Sequence, residues 1–170
     1  MSAKRTILLT IALTLVVFSA VTYTACNKNK CKNVFCLNNG ACDGGKCVCP
    51  VGYEGARCEL LSRDKFVNTY NGQDSCGSFN GHTYEQYPIR LTAMLEDSLE
   101  LTMKGLLNEL HDSATCTMIT TDSFYFQGLN NSTTYYGTGK KRNDSLWLNY
   151  HVAHDTASYD CHWFGCIGLH

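Results

Sequence analysis

Six cysteines crowd the stretch between Cys31 and Cys58, and their spacing constrains this chain more than any other feature. Cys31, Cys36, Cys42, Cys47, Cys49 and Cys58 are separated by four, five, four, one and eight residues. A segment this short cannot bury enough apolar surface to offset its chain entropy, so the cysteines must hold it together. A zinc site is the competing use of such a cluster. Metal sites favour two to four residues between paired cysteines, whereas a single residue parts Cys47 from Cys49. Six cysteines bridged pairwise allow about fifteen connectivities, and counting alone does not choose among them.

The run CKNVFCLNNGACDGGKCVCPVGYEGARC, with its Cys47-Val48-Cys49-Pro50 step and Gly52-Tyr53-Glu54-Gly55 turn, resembles an EGF-like module. The resemblance implies bridges from Cys31 to Cys42, Cys36 to Cys47 and Cys49 to Cys58. Each would close a loop of about ten residues and contribute about 2.5 to 3 kcal/mol in the chain-entropy model. No acidic residue precedes Cys31 at close range, and Asp43 beside Gly44 and Gly45 reads as a turn residue, so calcium is not expected. A signalling growth factor is disfavoured, because those modules carry longer gaps before the second cysteine and between the third and fourth.

Lys4 and Arg5 precede an apolar run from Ile7 through Val17 to Ala20, which reads as a secretory signal peptide over residues 1–25. A retained membrane anchor is the alternative, although the run is short for a span. The ending Tyr23-Thr24-Ala25-Cys26 resembles the lipobox of Bacteroidetes-type bacterial lipoproteins, with Tyr23 a departure from its usual leucine. The resemblance implies that Cys26 carries lipid, that residues 26–30 form a short lipidated stalk, and that the protein sits in the cell envelope on a membrane, the outer membrane first, facing periplasm or exterior. Eleven cysteines leave one over if all others pair, which fits acylation of Cys26. A plain signal peptide and a leftover thiol would fit as well.

After a linker over residues 59–64, residues 65–170 change to a mixture rich in Tyr, Thr, Leu and Asn with alternating apolar positions. Ile89, Leu91, Ala93 and Leu95 alternate with Arg90, Thr92 and Met94. Leu99, Leu101 and Met103 alternate with Glu100, Thr102 and Lys104, and Glu96-Asp97-Ser98 makes a turn between the two runs. Phe124 and Phe126 alternate with Ser123 and Tyr125, and Leu146, Leu148, Tyr150 and Val152 with Trp147, Asn149 and His151. Residues 104–111 are either a loop or one helical turn. The fold class is therefore all-β and antiparallel, a barrel or sandwich of about eight strands. The start Phe66-Val67-Asn68-Thr69-Tyr70-Asn71-Gly72 with Cys76 soon after, the Gly137-Thr138-Gly139 turn and the Tyr159-Asp160-Cys161 ending resemble an all-β domain of the same lipoproteins, placed near lipocalin-like barrels. That resemblance implies a Cys76–Cys161 bridge, which leaves Cys116 to pair with Cys166.

Little here points to catalysis. A net charge of −1 without a basic block gives no footprint for nucleic acid. No nucleophile-elbow, zincin or comparable motif is present, so no enzyme activity, cofactor or metal is expected. His151 and His154, the nearest of the six histidines, should point to opposite faces of a strand. Tyr125, Tyr135, Tyr136, Trp147 and Tyr150 cluster in the later strands. Tyr135, Tyr136 and Trp147 are the candidate contact residues where exposed, the alternative being rings that merely fill a barrel interior. Ser98, Ser113, Ser145 and Thr156 each follow an aspartate and match an Asp-Ser/Thr acceptor pattern for O-glycosylation, although the same dipeptides begin turns.

The expected function is a lipid-anchored, non-enzymatic interaction module. Its EGF-like unit spaces a β domain from the membrane, and the β domain contacts a protein or glycan. The alternative is a lipocalin-like carrier of a small hydrophobic ligand, with a cavity lined by Leu101, Phe126 and Leu148.

Overall fold

The computed structural model describes residues 16, 30–77, 86–108, 113–130, 132–154 and 157–168. The signal segment apart from Val16, together with Cys26 and Thr156, lies outside them. Among the described residues no helix is long and apolar enough to cross a membrane.

Two small hairpins and three bridges build the first module. β1 (Ala41–Asp43) pairs with β2 (Lys46–Val48) across Gly44 and Gly45, whose φ values of 57° and 93° lie in the left-handed region that glycine enters freely. β3 (Tyr53–Glu54) pairs with β4 (Leu60–Leu61). The bridges are Cys31–Cys42, Cys36–Cys47 and Cys49–Cys58, the EGF-like pairing. Within residues 31–58 only Gly52 and Cys58 are buried, so the sulfur bridges stand in for a hydrophobic core.

Eight longer strands follow: β5 (Asn68–Cys76), β6 (Gln86–Ala93), β7 (Glu100–Lys104), β8 (Ser113–Met118), β9 (Ser123–Asn130), β10 (Thr133–Arg142), β11 (Ser145–His154) and β12 (Ala157–Ile167). Each pairs antiparallel with the next, and β12 returns to pair with β5, closing an up-and-down barrel. Closure leaves no unpaired edge, which settles the choice between barrel and sandwich. Of residues 104–111 the structure describes 104–108, which include a short 3-10 turn, Leu106–Asn108, that buries Leu106. Strand β6 stops at Ala93 and β7 starts at Glu100, so Leu95 and Leu99 fall in the connecting turn and Leu95 is exposed.

Inward positions fill the barrel with rings and aliphatic chains. Ile89, Leu91, Leu101, Phe124, Phe126, Leu146, Leu148 and Trp163 join one buried cluster. Glycines on the same or neighbouring strands make room for the largest rings. A Cβ on Gly139 would lie 2.1 Å from Phe124, one on Gly128 2.2 Å from Tyr135, and one on Gly165 2.2 Å from Trp163. At the end where β5 begins, Phe66 is fully buried and meets Phe124 edge-on at 5.3 Å between centroids.

The connection over residues 59–64 is built into both modules. It contributes β4 to the β3 pairing and then turns through a 3-10 helix, Ser62–Phe66. The buried Arg63 donates from Nη1 to the carbonyl oxygens of Met94, Asp97 and Glu100 in the β6–β7 turn. Tyr53 of the first module donates its hydroxyl to Ser98 Oγ at 3.2 Å, and Lys65 pairs with Glu54 at 2.6 Å.

The Cys76–Cys161 bridge forms, across directly opposed positions of β5 and β12. The expected Cys116–Cys166 bridge does not, and both cysteines are free. The barrel explains why. β8 and β12 lie on opposite sides of it, with Cys116 facing the core and Cys166 facing outward, so no rotamer brings the two sulfurs together.

Candidate functional site

Strands β9 to β12 carry alternating side chains, so every second residue faces outward and the pairing register decides which outward residues meet. Tyr136 lies opposite His151, which lies opposite Asp160. Thr138 lies between Tyr125 and Asn149, and Asn149 lies opposite His162. In a further row Trp147 is flanked by Lys140 and Phe164. The four outward aromatics keep substantial exposure: Tyr125 39%, Tyr136 45%, Trp147 37% and Phe164 45%. Rings and imidazoles touch along the rows, with centroids 5.4 Å apart for Tyr136 and His151 and 5.3 Å apart for Trp147 and Phe164.

Hydrogen bonds hold the polar members of this face. His151 Nδ1 lies 2.9 Å from Asp160 Oδ1, and His162 Nδ1 lies 2.6 Å from Asn149 Oδ1. Both oxygens accept, so each Nδ1 donates, and in the neutral imidazole Nε2 is left as an acceptor. Tyr125, Tyr136, Thr138, Asn149, Asp160 and His162 border a shallow open depression of about 430 Å³. No lysine or arginine is among its lining residues.

The aromatic residues expected to act together are therefore divided by the sheet. Tyr136 and Trp147 face outward. Tyr135 corrects the expectation: it is buried in the barrel, because neighbouring residues of one strand point to opposite faces. Tyr150 is likewise inside and Tyr125 outside. Sequence reasoning missed Phe164, His151 and His162 as members of the face. The signal for them is parity. Once Leu146 and Leu148 are set inward, Trp147, Asn149 and His151 follow as outward, and the antiparallel register brings Phe164 opposite Trp147 and His162 opposite Asn149.

A second polar group lies inside the barrel. Asp74, buried on β5, accepts hydrogen bonds from the hydroxyls of Tyr87 and Tyr150, the latter at 2.7 Å. Burial holds its carboxyl above the usual carboxylate range, with the two tyrosine hydroxyls opposing that rise. Burial, followed by the nearby Asp74 charge, pushes both tyrosine hydroxyls far up. The buried Nε1 of Trp163, whose residue pairs with Asp74 across β12 and β5, has no hydrogen-bond partner among the described residues. Leu101, Phe126 and Leu148 are fully buried and belong to the same packed cluster as these rings.

Among the described residues no group of three or more His, Cys, Asp and Glu side chains is arranged to hold a metal ion. Burial raises the Cys116 thiol well above its ordinary range, which keeps it protonated and inert. Of the residues in the glycosylation pattern, Ser113 is exposed at the start of β8. Ser145 Oγ lies 3.3 Å from Cys166 Sγ, and Ser98 is bonded to Tyr53 at the junction of the modules.

No known protein family matches the chain, and no solved structure matches it. The chain is 40% identical over 53 residues to Protein lin-12 of Caenorhabditis elegans, a match covering 29% of the chain and 4% of that protein. The chain thus spans a small fraction of this relative's length. The similarity agrees with the EGF-like character of the disulfide-rich module.

Proposed function

We propose that this chain is an exported, lipid-anchored, non-enzymatic binding module whose partner, a protein or a glycan, is contacted by the outward face of β9 to β12. The observation that carries this reading is the grouping of Tyr125 and Tyr136 around one depression with hydrogen-bonded polar neighbours, with the outward Trp147–Phe164 pair in the next row of the same face. Half-exposed rings on a rigid sheet offer large contact area at low entropic cost. Export and acylation at Cys26 rest on the apolar run that ends at Ala25-Cys26. Cysteine parity no longer supports acylation, because Cys116 and Cys166 are themselves unbridged.

The test is retention of purified envelope polysaccharide and envelope protein fractions by the immobilised chain, wild type against Trp147→Ala and Phe164→Ala. Each ring removed should cost about 1 kcal/mol or more of binding to the fraction that is retained. Retention that is indifferent to both substitutions would remove the face from the mechanism. Cys26→Ser should release the protein from membranes. Wild-type protein that already fractionates as soluble would sink the anchor.

A carrier of a small ligand is the second reading. It draws on the closed barrel and on Asp74, Tyr87, Tyr150 and the unpartnered Trp163 Nε1 inside it. Native mass spectrometry separates the readings, since a carrier should release a bound small molecule of fixed mass on unfolding.

A further inference from the structure

We propose that the depression on the outer face of β9 to β12 binds a short neutral glycan, an inference that rests on the contact-face reading above. Its two sides differ in chemistry. Tyr125 and Tyr136 form the border on β9 and β10, while Asn149, Asp160 and His162 form the border on β11 and β12. A pyranose is divided in the same way, with an apolar C–H face that stacks on a ring and a rim of hydroxyls that need donors and acceptors together.

The polar border supplies both. Asn149 keeps its amide N–H donors after its oxygen accepts from His162, His162 keeps an accepting Nε2, and Asp160 keeps a second carboxylate oxygen after meeting His151. Thr138, between the two borders, can donate or accept. These groups are held by one another before any ligand arrives, so little rotamer freedom is lost on binding.

Competing ligand classes fit less well. A purely apolar ligand would leave the amide, imidazole and carboxylate groups unpaired where it covered them. An anionic sugar, phosphate or sulfate would meet the Asp160 carboxylate with no lysine or arginine in the lining to receive it. The Trp147–Phe164 pair in the next row adds a second ring platform, which suits a glycan longer than one residue.

The experiment is calorimetric titration of the full chain with maltotriose, cellotriose, mannotriose and chitotriose, with a trimer of galacturonic acid as the anionic comparison. At least one neutral trimer should bind saturably and the acidic trimer should not. Tyr136→Ala and Asn149→Ala should each weaken that binding about tenfold or more with the circular dichroism unchanged. Tyr136→Phe, which keeps the ring, should stay within about twofold of wild type. Absence of saturable binding by every neutral trimer overturns the proposal, as does binding that Tyr136→Ala leaves intact. If the sugars fail while Trp147-dependent retention of an envelope protein persists, the glycan class falls and the contact face stands.

Discussion

Asp74 is the residue whose behaviour departs most from its type. Its carboxyl is held above the usual range chiefly by burial, so the folded barrel keeps the proton to higher pH than the unfolded chain, in which an aspartate titrates near about 4. As pH rises from about 4 through the folded-state value, the unfolded chain has already lost the proton that the folded chain retains. The sign of linkage then makes stability fall across that window and level off above it. Urea midpoints of wild type and Asp74→Asn, measured from about pH 4 to pH 7, should show the variant gaining relative to wild type as pH rises. A gap that is flat or runs the other way would mean that the tyrosine hydroxyls outweigh burial. This group was not legible in the sequence, since a lone aspartate in a strand reads as surface. The tyrosines that satisfy it come from β6 and β11, remote in the chain.

Elements were legible where apolar and polar residues alternate and obscure where glycine replaces the apolar member. β11 shows its phase plainly, with Leu146, Leu148, Tyr150 and Val152 inward. β10 does not. Its inward positions run Tyr135, Gly137 and Gly139, and two glycines erase the hydrophobic signal that would have separated buried Tyr135 from exposed Tyr136. Residues 59–64 were obscure for another reason, because Arg63 looks like a surface residue until the β6–β7 turn turns its carbonyls toward it. A guanidinium that pairs three loop carbonyls should matter more than a surface charge. Arg63→Ala should lower stability by about 1 to 3 kcal/mol in urea unfolding, since buried carbonyls lose their charged donor. Arg63→Lys should recover only part of this, because its shorter side chain does not carry the ammonium as far as Nη1 reaches. A neutral Arg63→Ala variant would show the turn to be held by its own backbone and by Tyr53.

At the scale of the whole molecule, the EGF-like unit and the barrel meet at the barrel end that begins β5, through Arg63, the Tyr53–Ser98 hydrogen bond and the Lys65–Glu54 pair. The bridges of the first module were readable through its resemblance to an EGF-like module, and the all-β character of the second through local alternation. Their junction was not, for it depends on which turn of the barrel lies beside Gly52 and Tyr53. The outward face of β9 to β12 takes no part in it. Deleting residues 31–58 while keeping Leu61 through Phe66 should therefore separate two properties. Stability should fall by about 1 to 3 kcal/mol, because the β6–β7 turn loses Tyr53 and β4 loses its partner strand. Affinity at the outer face should stay within about twofold of the full chain, since its rings and polar groups all come from strands that the deletion leaves paired. Indole and amide NMR signals of Trp147 should likewise keep their positions. Loss of binding from a deletion variant whose barrel signals are unchanged would transfer the contact site, or part of it, to the EGF-like unit.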